Sequence, residues 1–493
     1  MRRRFPDGTR ESARWSYPTP YGYGGPVNET NHATVRGTNG GLLLEVTLAR
    51  FPRGQQASSL IAQLRAAVRS GSLGAGTRLP ASRTLAIDLG VSRGVVVRAY
   101  EQLTAEGYLR ARQGSGTEVA TVRDQSESGA RPPARPQSNP GLPAGALFPR
   151  AEWLRSATRA LAQLPDADFG YGDPAGHPRL RQELSAYLGR VRALIAPPER
   201  IVIVNGFAQA SRLVAEVLRD RGTLRIGVED PGSVGLREQL AWAGLTCRPI
   251  LVDGDGVRVD LLARSTLRAL VVTPAHQFPT GVVMSPDRRH ALLQWARDTD
   301  ALVIEDDYDA EYRYDRAPVG ALQGLGPDAV IYGGSVSKTL APALRIGWLV
   351  LPERLVSSVT DAKYAADLAT GIWEQATLAD FLACGAMDRH IRRTTTRYRA
   401  RRDRLVTEIA TRLPDWAVTG TAAGLHLLVR PPLQCDEAAL AALAQRCGLD
   451  ARPLSRYATA ELDHAGLVIG YGHQRPDALT NGVIALARHV PRP

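Results

Sequence analysis

The stretch SVSKTLAPALRIGW, residues 335–348, decides how this 493-residue chain is read. It holds Lys338, one of only two lysines among 61 Lys and Arg residues; the other is Lys363. Arginine serves here wherever a plain positive charge is enough. Arg stays protonated at ordinary pH, whereas a desolvated Lys can lose its proton and attack a carbonyl carbon. Ser335, Ser337 and Arg345 flank Lys338 with two hydroxyls and a guanidinium, groups that suit a phosphate ester. An amine nucleophile beside a phosphate seat fits an aldehyde on a phosphorylated ring, and pyridoxal 5'-phosphate (PLP) is that molecule.

Around this stretch, apolar runs of strand length alternate with helical ones. RIVIVNG (200–206), TLRIGVED (223–230), LRALVVTP (267–274), ALVIEDD (301–307), AVIYGG (329–334) and IGWLVL (346–351) are the strands. Near-continuous apolar strands mean burial on both faces, so an α/β domain with a largely parallel sheet is expected from about residue 146. Ligands of such sheets sit beyond the carboxyl ends of the strands. Asn205-Gly206-Phe207-Ala208-Gln209 joins a strand to a helix there, and free amides at the helix start suit a phosphate. Glu305-Asp306-Asp307-Tyr308 ends another strand, where a carboxylate would keep a ring nitrogen protonated and Tyr308 would donate to the ring oxygen. His276, in His276-Gln277-Phe278-Pro279-Thr280-Gly281, is expected near the ring. Tyr171, before a helix starting near Pro178, would reach a phosphate in its own chain or a partner's.

The first third differs. Residues 1–145 carry 19 Arg against ten acidic residues, while the remainder is nearly balanced, with 42 basic and 39 acidic. That asymmetry points to a nucleic-acid-binding segment on a near-neutral body. Residues 1–41 are rich in Gly, Pro, Thr, Asn and Tyr without periodicity and read as a disordered arm. Residues 56–70 place Leu60, Ile61, Leu64 and Val68 on one helical face. Ser82 is placed to cap a short helix ended by Gly90, and Ser92 to cap the next. Two helices across a tight turn make a helix-turn-helix whose second helix would enter a major groove, with Arg93 on its first turn and Arg98 further along. YLRARQGSGTEVA (108–120) then reads as a wing, with Gly114, Ser115 and Gly116 in the phosphate-approaching turn. Residues 121–145, rich in Pro, Ser, Gly and Arg, form a linker.

No run approaches a membrane span, and no apolar stretch follows the N-terminal arginines, so a cytoplasmic protein is expected. The four cysteines show no metal-type spacing, and no metal is expected.

Residues 42–120 resemble the winged helix-turn-helix of the GntR family of bacterial regulators. The resemblance rests on Leu79-Pro80-Ala81-Ser82-Arg83, Val91-Ser92-Arg93, Ala99-Tyr100, Glu106-Gly107-Tyr108-Leu109 and Gly114-Ser115-Gly116-Thr117. It implies that Arg83 and Arg93 touch DNA. Residues 146–493 resemble the fold-type I aminotransferases through Tyr171, Gly206, Pro279-Thr280-Gly281, Asp306, Tyr308, Ser335, Lys338 and Arg345. By that resemblance Lys338 forms the Schiff base to PLP, Asp306 pairs with the pyridine nitrogen and Tyr308 meets the ring oxygen. Phe207, Ala208, Ser335, Ser337 and Arg345 hold the phosphate, with Tyr171 reaching across a homodimer interface.

The fused whole resembles the MocR subfamily of regulators, through EDDYDAEYRYDRAPVGALQG, SKTLAPALRIGWLV and His276-Gln277-Phe278. Two departures matter. Val468 stands where this fold's enzymes carry the arginine for a substrate carboxylate, which argues for PLP itself as the effector, as in the PdxR-like members that control PLP synthesis genes. Ser233 falls where relatives often place an aromatic against the ring. A working aminotransferase with a DNA-binding head, or a regulator sensing an amino compound, are the alternatives.

Overall fold

The computed structural model describes residues 33–36, 42–46, 52, 54–112, 116–121, 140–315, 319–432 and 435–490. It falls into two compact units, Met1–Arg135 and Pro136–Pro493.

In the first unit, the helices Gln56–Arg69, Ser82–Asp88 and Arg93–Ala105 accompany a small antiparallel sheet of Arg78–Leu79, between the first two helices, with Gly116–Val119 and Leu109–Arg112. The expected stripe is inside. Leu60, Leu64 and Val68 pack with Leu85, Ala86, Val96, Tyr100 and Leu103 in one core, with Ile61 at its edge. Tyr100 donates to the Pro80 carbonyl at 2.9 Å, tying the third helix to the turn before the second. Two local readings need correction. The second helix starts at Ser82 itself, its cap position is Ala81, and no side chain caps it. Ser92 does sit at the cap position of the third helix, but its hydroxyl accepts no capping bond. Ala33–Arg36 pairs antiparallel with Leu42–Val46, so part of the stretch read as an unstructured arm forms a strand. In the register Thr34 stands opposite Glu45 and Val35 opposite Leu44, and β-branched residues favour strands.

The second unit is built on an eight-stranded sheet. Its order is Ile201–Val204, Gly347–Val350, Val330–Ser335, Leu302–Asp307, Ala269–Val272, Arg225–Asp230, Thr246–Asp253 and Gly256–Val257. The five strands from Val330–Ser335 to Thr246–Asp253 run parallel, and Gly347–Val350 runs against both its neighbours. The apolar strands are buried from both sides, with one apolar cluster around Leu213, Val214 and Val228 and others around Leu184 and Trp348 and around Leu292 and Trp295. A second, antiparallel sheet of Ala417–Thr419, His426–Arg430, Leu467–Gly470 and Asp450–Pro453 packs with the 27-residue helix Ala386–Arg412 around its own core. Among the described residues no helix is long and apolar enough to cross a membrane.

Candidate functional site

The carboxyl ends of the parallel strands open on one cavity of about 400 Å³. Phe207, Ala208, Asp306, Tyr308, Ser335, Ser337, Lys338 and Arg345 all line it. Each is delivered by a strand end or the turn beside it, which is why residues as far apart in sequence as Phe207 and Arg345 meet there.

Lys338 follows Val330–Ser335 in a turn and is half-buried. It takes no hydrogen bond among the described residues. Burial lowers its pKa, against the pull of Asp309 and Asp306. A depressed amine without a hydrogen-bond partner beside a cavity is poised as a nucleophile.

The acidic triplet ending Leu302–Asp307 sorts itself by the twofold period of a strand. Glu305 is fully buried and accepts from the Leu322 and Gln323 amides at 2.8 and 3.0 Å. Asp307 points the same way, pairing with Arg192 at 2.7 Å and accepting from the Tyr332 hydroxyl at 2.7 Å. Asp306 alone faces the cavity and has no hydrogen-bond partner among the described residues. Burial first, then the charge of Asp307, pushes its carboxyl up to about 8. Lys338 acts on it only through space, and a protonated ring nitrogen would supply a cation in contact.

The side of the cavity expected to take a phosphate is assembled around Gly206. Its φ of +79° suits glycine, and a Cβ there would lie 2.6 Å from Arg345 Nη2. Arg345, itself at a φ of +51°, donates to the Asn205 carbonyl at 2.6 Å. The helix Phe207–Asp220 begins here with no side-chain cap, leaving its first amides beside the cavity. Asn205 and Gln209 are braced from behind: both donate to Asp367, which also pairs with Lys363 at 2.5 Å. The donors and the cation therefore fit a phosphate ester, as Asp306 and Lys338 fit the ring and the aldehyde.

His276 does not line the cavity. It lies beneath Tyr308, buried, with Nδ1 3.1 Å from the Tyr308 hydroxyl and 3.1 Å from both oxygens of Asp309. Phe278, two residues on, lines the cavity instead. His276, Asp309 and His426 bring ligand atoms within 4.8 Å of one another, but His276 Nδ1 is already committed to Asp309 and Tyr308. Burial and the neighbouring His276 hold the His426 imidazole well below its usual range. Tyr171 is 84% exposed and does not reach the cavity within its own chain. Val468 is fully buried with Leu428, Leu454 and Tyr457, with Phe278 packed against them. Ser233 lines the cavity, and its hydroxyl accepts from the Leu236 amide as a helix cap.

Sequence reasoning missed Glu229. It is next to last in Arg225–Asp230, lines the cavity, and is pushed up to about 7 by burial. Thr273 and Gln277 occupy Oε2, while Oε1 has no partner. The signal was present, since Glu229-Asp230 closes an apolar strand just as Glu305-Asp306-Asp307 does.

In the first unit, Arg83, Ser92, Arg93 and Arg98 are all exposed. Arg93 Nε lies 3.5 Å from the Ser82 hydroxyl, which brings the two helix starts together on one side. Gly116, at a φ of +92°, opens the strand Gly116–Val119. Gly114 and Ser115 lie outside the described residues.

Comparison with known proteins matches both units. Residues 142–465 match the aminotransferase class I and II family, and residues 56–119 the gntR family of bacterial regulatory proteins. The chain is 35% identical to the probable rhizopine catabolism regulatory protein MocR of Rhizobium meliloti, over 87% of this chain and 92% of that protein. It is 34% identical to the HTH-type pyridoxine biosynthesis transcriptional regulator PdxR of Corynebacterium glutamicum, over 86% and 93%. An archaeal alanine:glyoxylate aminotransferase superposes with a TM-score of 0.65 at 27% identity, covering 71% of this chain and 88% of that one. A GntR-type head joined to a fold-type I aminotransferase body, over nearly the full length of such regulators, places the chain in the MocR subfamily of GntR-family transcriptional regulators.

Proposed function

We propose that this regulator binds PLP at Lys338, senses PLP itself and controls genes of PLP synthesis. The observation that carries the cofactor assignment is the cavity shared by Lys338, Asp306 and Arg345. PLP would supply the aldehyde that condenses with the Lys338 amine, releasing water. Asp306 would hold the ring nitrogen protonated, and Tyr308 would donate to the ring oxygen. Ser335, Ser337, Arg345 and the amides of Phe207 and Ala208 would hold the phosphate. Val468, spent on an apolar cluster, leaves the strand Leu467–Gly470 without a guanidinium for a substrate carboxylate, which supports a sensing role over transamination. The relative named as a pyridoxine biosynthesis regulator supports the choice of target genes.

The exposed arginines 83, 93 and 98 would meet DNA. A homodimer, with Tyr171 serving the partner's phosphate, would present two heads, and a tethered pair binds two half-sites far more tightly than one head binds one. Domain limits of 42–120 and 146–493, joined by residues 121–145, and a cytoplasmic location belong to the same reading. PLP would act by favouring one arrangement of the heads, since a ligand shifts an equilibrium only through unequal affinity for its states. The test is operator binding titrated with PLP in wild type and Lys338→Ala. A PLP-dependent change in affinity or footprint in wild type alone is expected; identical behaviour in both proteins would remove PLP as the signal.

A further inference from the structure

Beneath Tyr308 three side chains meet that do not line the cavity. His276 follows the strand Ala269–Val272, Asp309 follows Leu302–Asp307, and His426 opens His426–Arg430 in the second sheet. All three are buried, at 2–3% exposure. One nitrogen of each imidazole and one oxygen of Asp309 lie within 4.8 Å of one another. The backbone is shaped to allow this. Gly424 holds a φ of +66°, and a Cβ there would run into His276 Cε1 and Asp309 Oδ2. Glycine lets the segment that leads into His426–Arg430 come this close.

His426 carries the argument furthest. Neither of its ring nitrogens makes a hydrogen bond of good geometry, although the Pro279 carbonyl acts on the ring. A carbonyl can serve only the N–H nitrogen, so the lone-pair nitrogen has no donor in either tautomer. A buried acceptor left without a donor costs free energy, and an ion is one of the groups that satisfies it. The spacing around His276 suits one. Ligands held about 2.0–2.2 Å from a tetrahedral zinc stand about 3.3 Å apart. His276 Nδ1 lies 3.1 Å from either Asp309 oxygen and 3.1 Å from the Tyr308 hydroxyl. The proton shared there occupies the place an ion would take, and it passes to solvent when the ion enters.

We propose that His276, Asp309 and His426 bind a divalent transition ion of the zinc class, with the Tyr308 hydroxyl beside it for the fourth position. Two imidazoles and a carboxylate select such an ion over magnesium or calcium, which take oxygen ligands. The ion would clasp the antiparallel sheet to the ends of the parallel strands. Through Tyr308, which lines the cavity, it would give the regulator a metal input. No cysteine takes part, so cysteine spacing carried no sign of it. The site does not depend on PLP.

The test titrates the untagged, chelator-treated full chain with cobalt(II) before any PLP is added, then competes with zinc. Wild type should show the intense visible bands of a four-coordinate ion, saturating at one ion per chain and abolished by zinc. His426→Phe keeps a ring in the core and should weaken zinc binding at least about a hundredfold, beyond the cost of an outer-shell change. Asp309→Asn should weaken it as well. His290→Ala, at an exposed position of the helix Pro286–Thr299, should titrate as wild type. Zinc should also raise the melting temperature of wild type but not of His426→Phe, because an ion that binds only the folded chain stabilises it. Bands and affinity unchanged in His426→Phe would mean an adventitious ion only and overturn the proposal, as would a wild type without bands. Where His426→Phe fails to fold, Asp309→Asn decides by the same titration. A chain that binds zinc here yet fixes no PLP at Lys338 sinks the cofactor assignment and spares this site.

Discussion

The chain's two lysines sit in two differently built regions. Lys363 is fully buried on the helix Glu353–Asp367 and closes a 2.5 Å pair with Asp367, which also accepts from Asn205 and Gln209. Lys338 is half-buried in a turn, bonded to nothing among the described residues, with Asp306 and Asp309 acting on it only through space. Burial lowers both amines. The difference is the partner. A short ion pair holds the Lys363 proton in a structural role, whereas Lys338 keeps both a labile proton and a cavity in front of it. On the proposed reading the unpaired lysine would be the reactive one, while the paired lysine braces Asp367, which holds the Asn205–Gln209 turn.

The largest effect should come from separating these roles directly. After incubation with PLP and borohydride, Lys338→Ala should lose covalent cofactor altogether, and Lys363→Met should retain it. Mass spectrometry of the reduced protein reads the outcome; cofactor fixed in Lys338→Ala and lost from Lys363→Met would reverse the comparison. Lys363→Met should instead cost roughly 1–3 kcal/mol of stability, the loss of one hydrogen bond between charged groups, and weaken PLP affinity through the loosened Asn205–Gln209 turn.

Much of this was legible because composition singled out Lys338 and because apolar runs with acidic or glycine-rich ends mark parallel strands. What was not legible is instructive. The order Glu305, Asp306, Asp307 left the ring partner undecided by residue type alone, and only the alternation of side chains across the sheet assigns one to the loop, one to the cavity and one to Arg192. His276 was expected at the ring because it sits in a strand-end loop. The loop turns so that Phe278 takes the wall and His276 goes beneath it, and one sequence carries no signal for that choice. Ser82 looked like a helix cap, but the helix begins one residue earlier than that role requires.

The next test sharpens the contrast between Asp306 and its partnered neighbours. Asp306 is raised to about 8 in the folded cofactor-free chain, and Glu229 to about 7. A raised folded pKa means the native state holds protons that the unfolded chain has lost, so stability falls as pH rises from about 4 through 8. Cofactor-free Asp306→Asn should therefore melt above wild type at pH 8, by about 4 °C or more, and match it more closely at pH 5. Glu229 leaves a residual slope of the same sign. Equal melting curves at both pH values would mean that water entering the cavity already neutralises the cost.

In the head, Arg93→Ala should weaken operator binding by roughly 1–3 kcal/mol per head if the contact is bidentate to guanine, and relax sequence preference. Arg65→Ala breaks a bidentate pair with Glu106 on the same unit and should leave sequence preference intact. Electrophoretic mobility shifts on operator and scrambled DNA distinguish the two.

The smallest expected effect concerns the layer beneath Lys338. The Tyr308 hydroxyl shares Nδ1 of His276 with Asp309, and burial holds the phenol well above its usual range. The groups that face it are Asp306, Asp309, Glu229, Tyr471 and His276, three of them carboxyls, so the phenol stays protonated; Nδ1 accepts that proton only when it is not itself donating to Asp309, and otherwise the proton is free for the ring oxygen proposed for the cavity. With Nδ1–H donated to Asp309, the imidazole stays in place beside the hydroxyl. Replacing His276 with Gln keeps a hydrogen-bonding side chain but removes the Asp309 tether, so the phenol is less firmly placed against the ring oxygen. The pH at which the bound cofactor changes its absorbance should then move by a fraction of a unit, whereas Tyr308→Phe, which deletes the donor itself, should move it further in the same direction. Spectrophotometric titration of the three proteins reads this ordering. A His276→Gln shift as large as that of Tyr308→Phe would mean that the imidazole touches the cofactor directly, and that the wall of the cavity reorganises when it is filled.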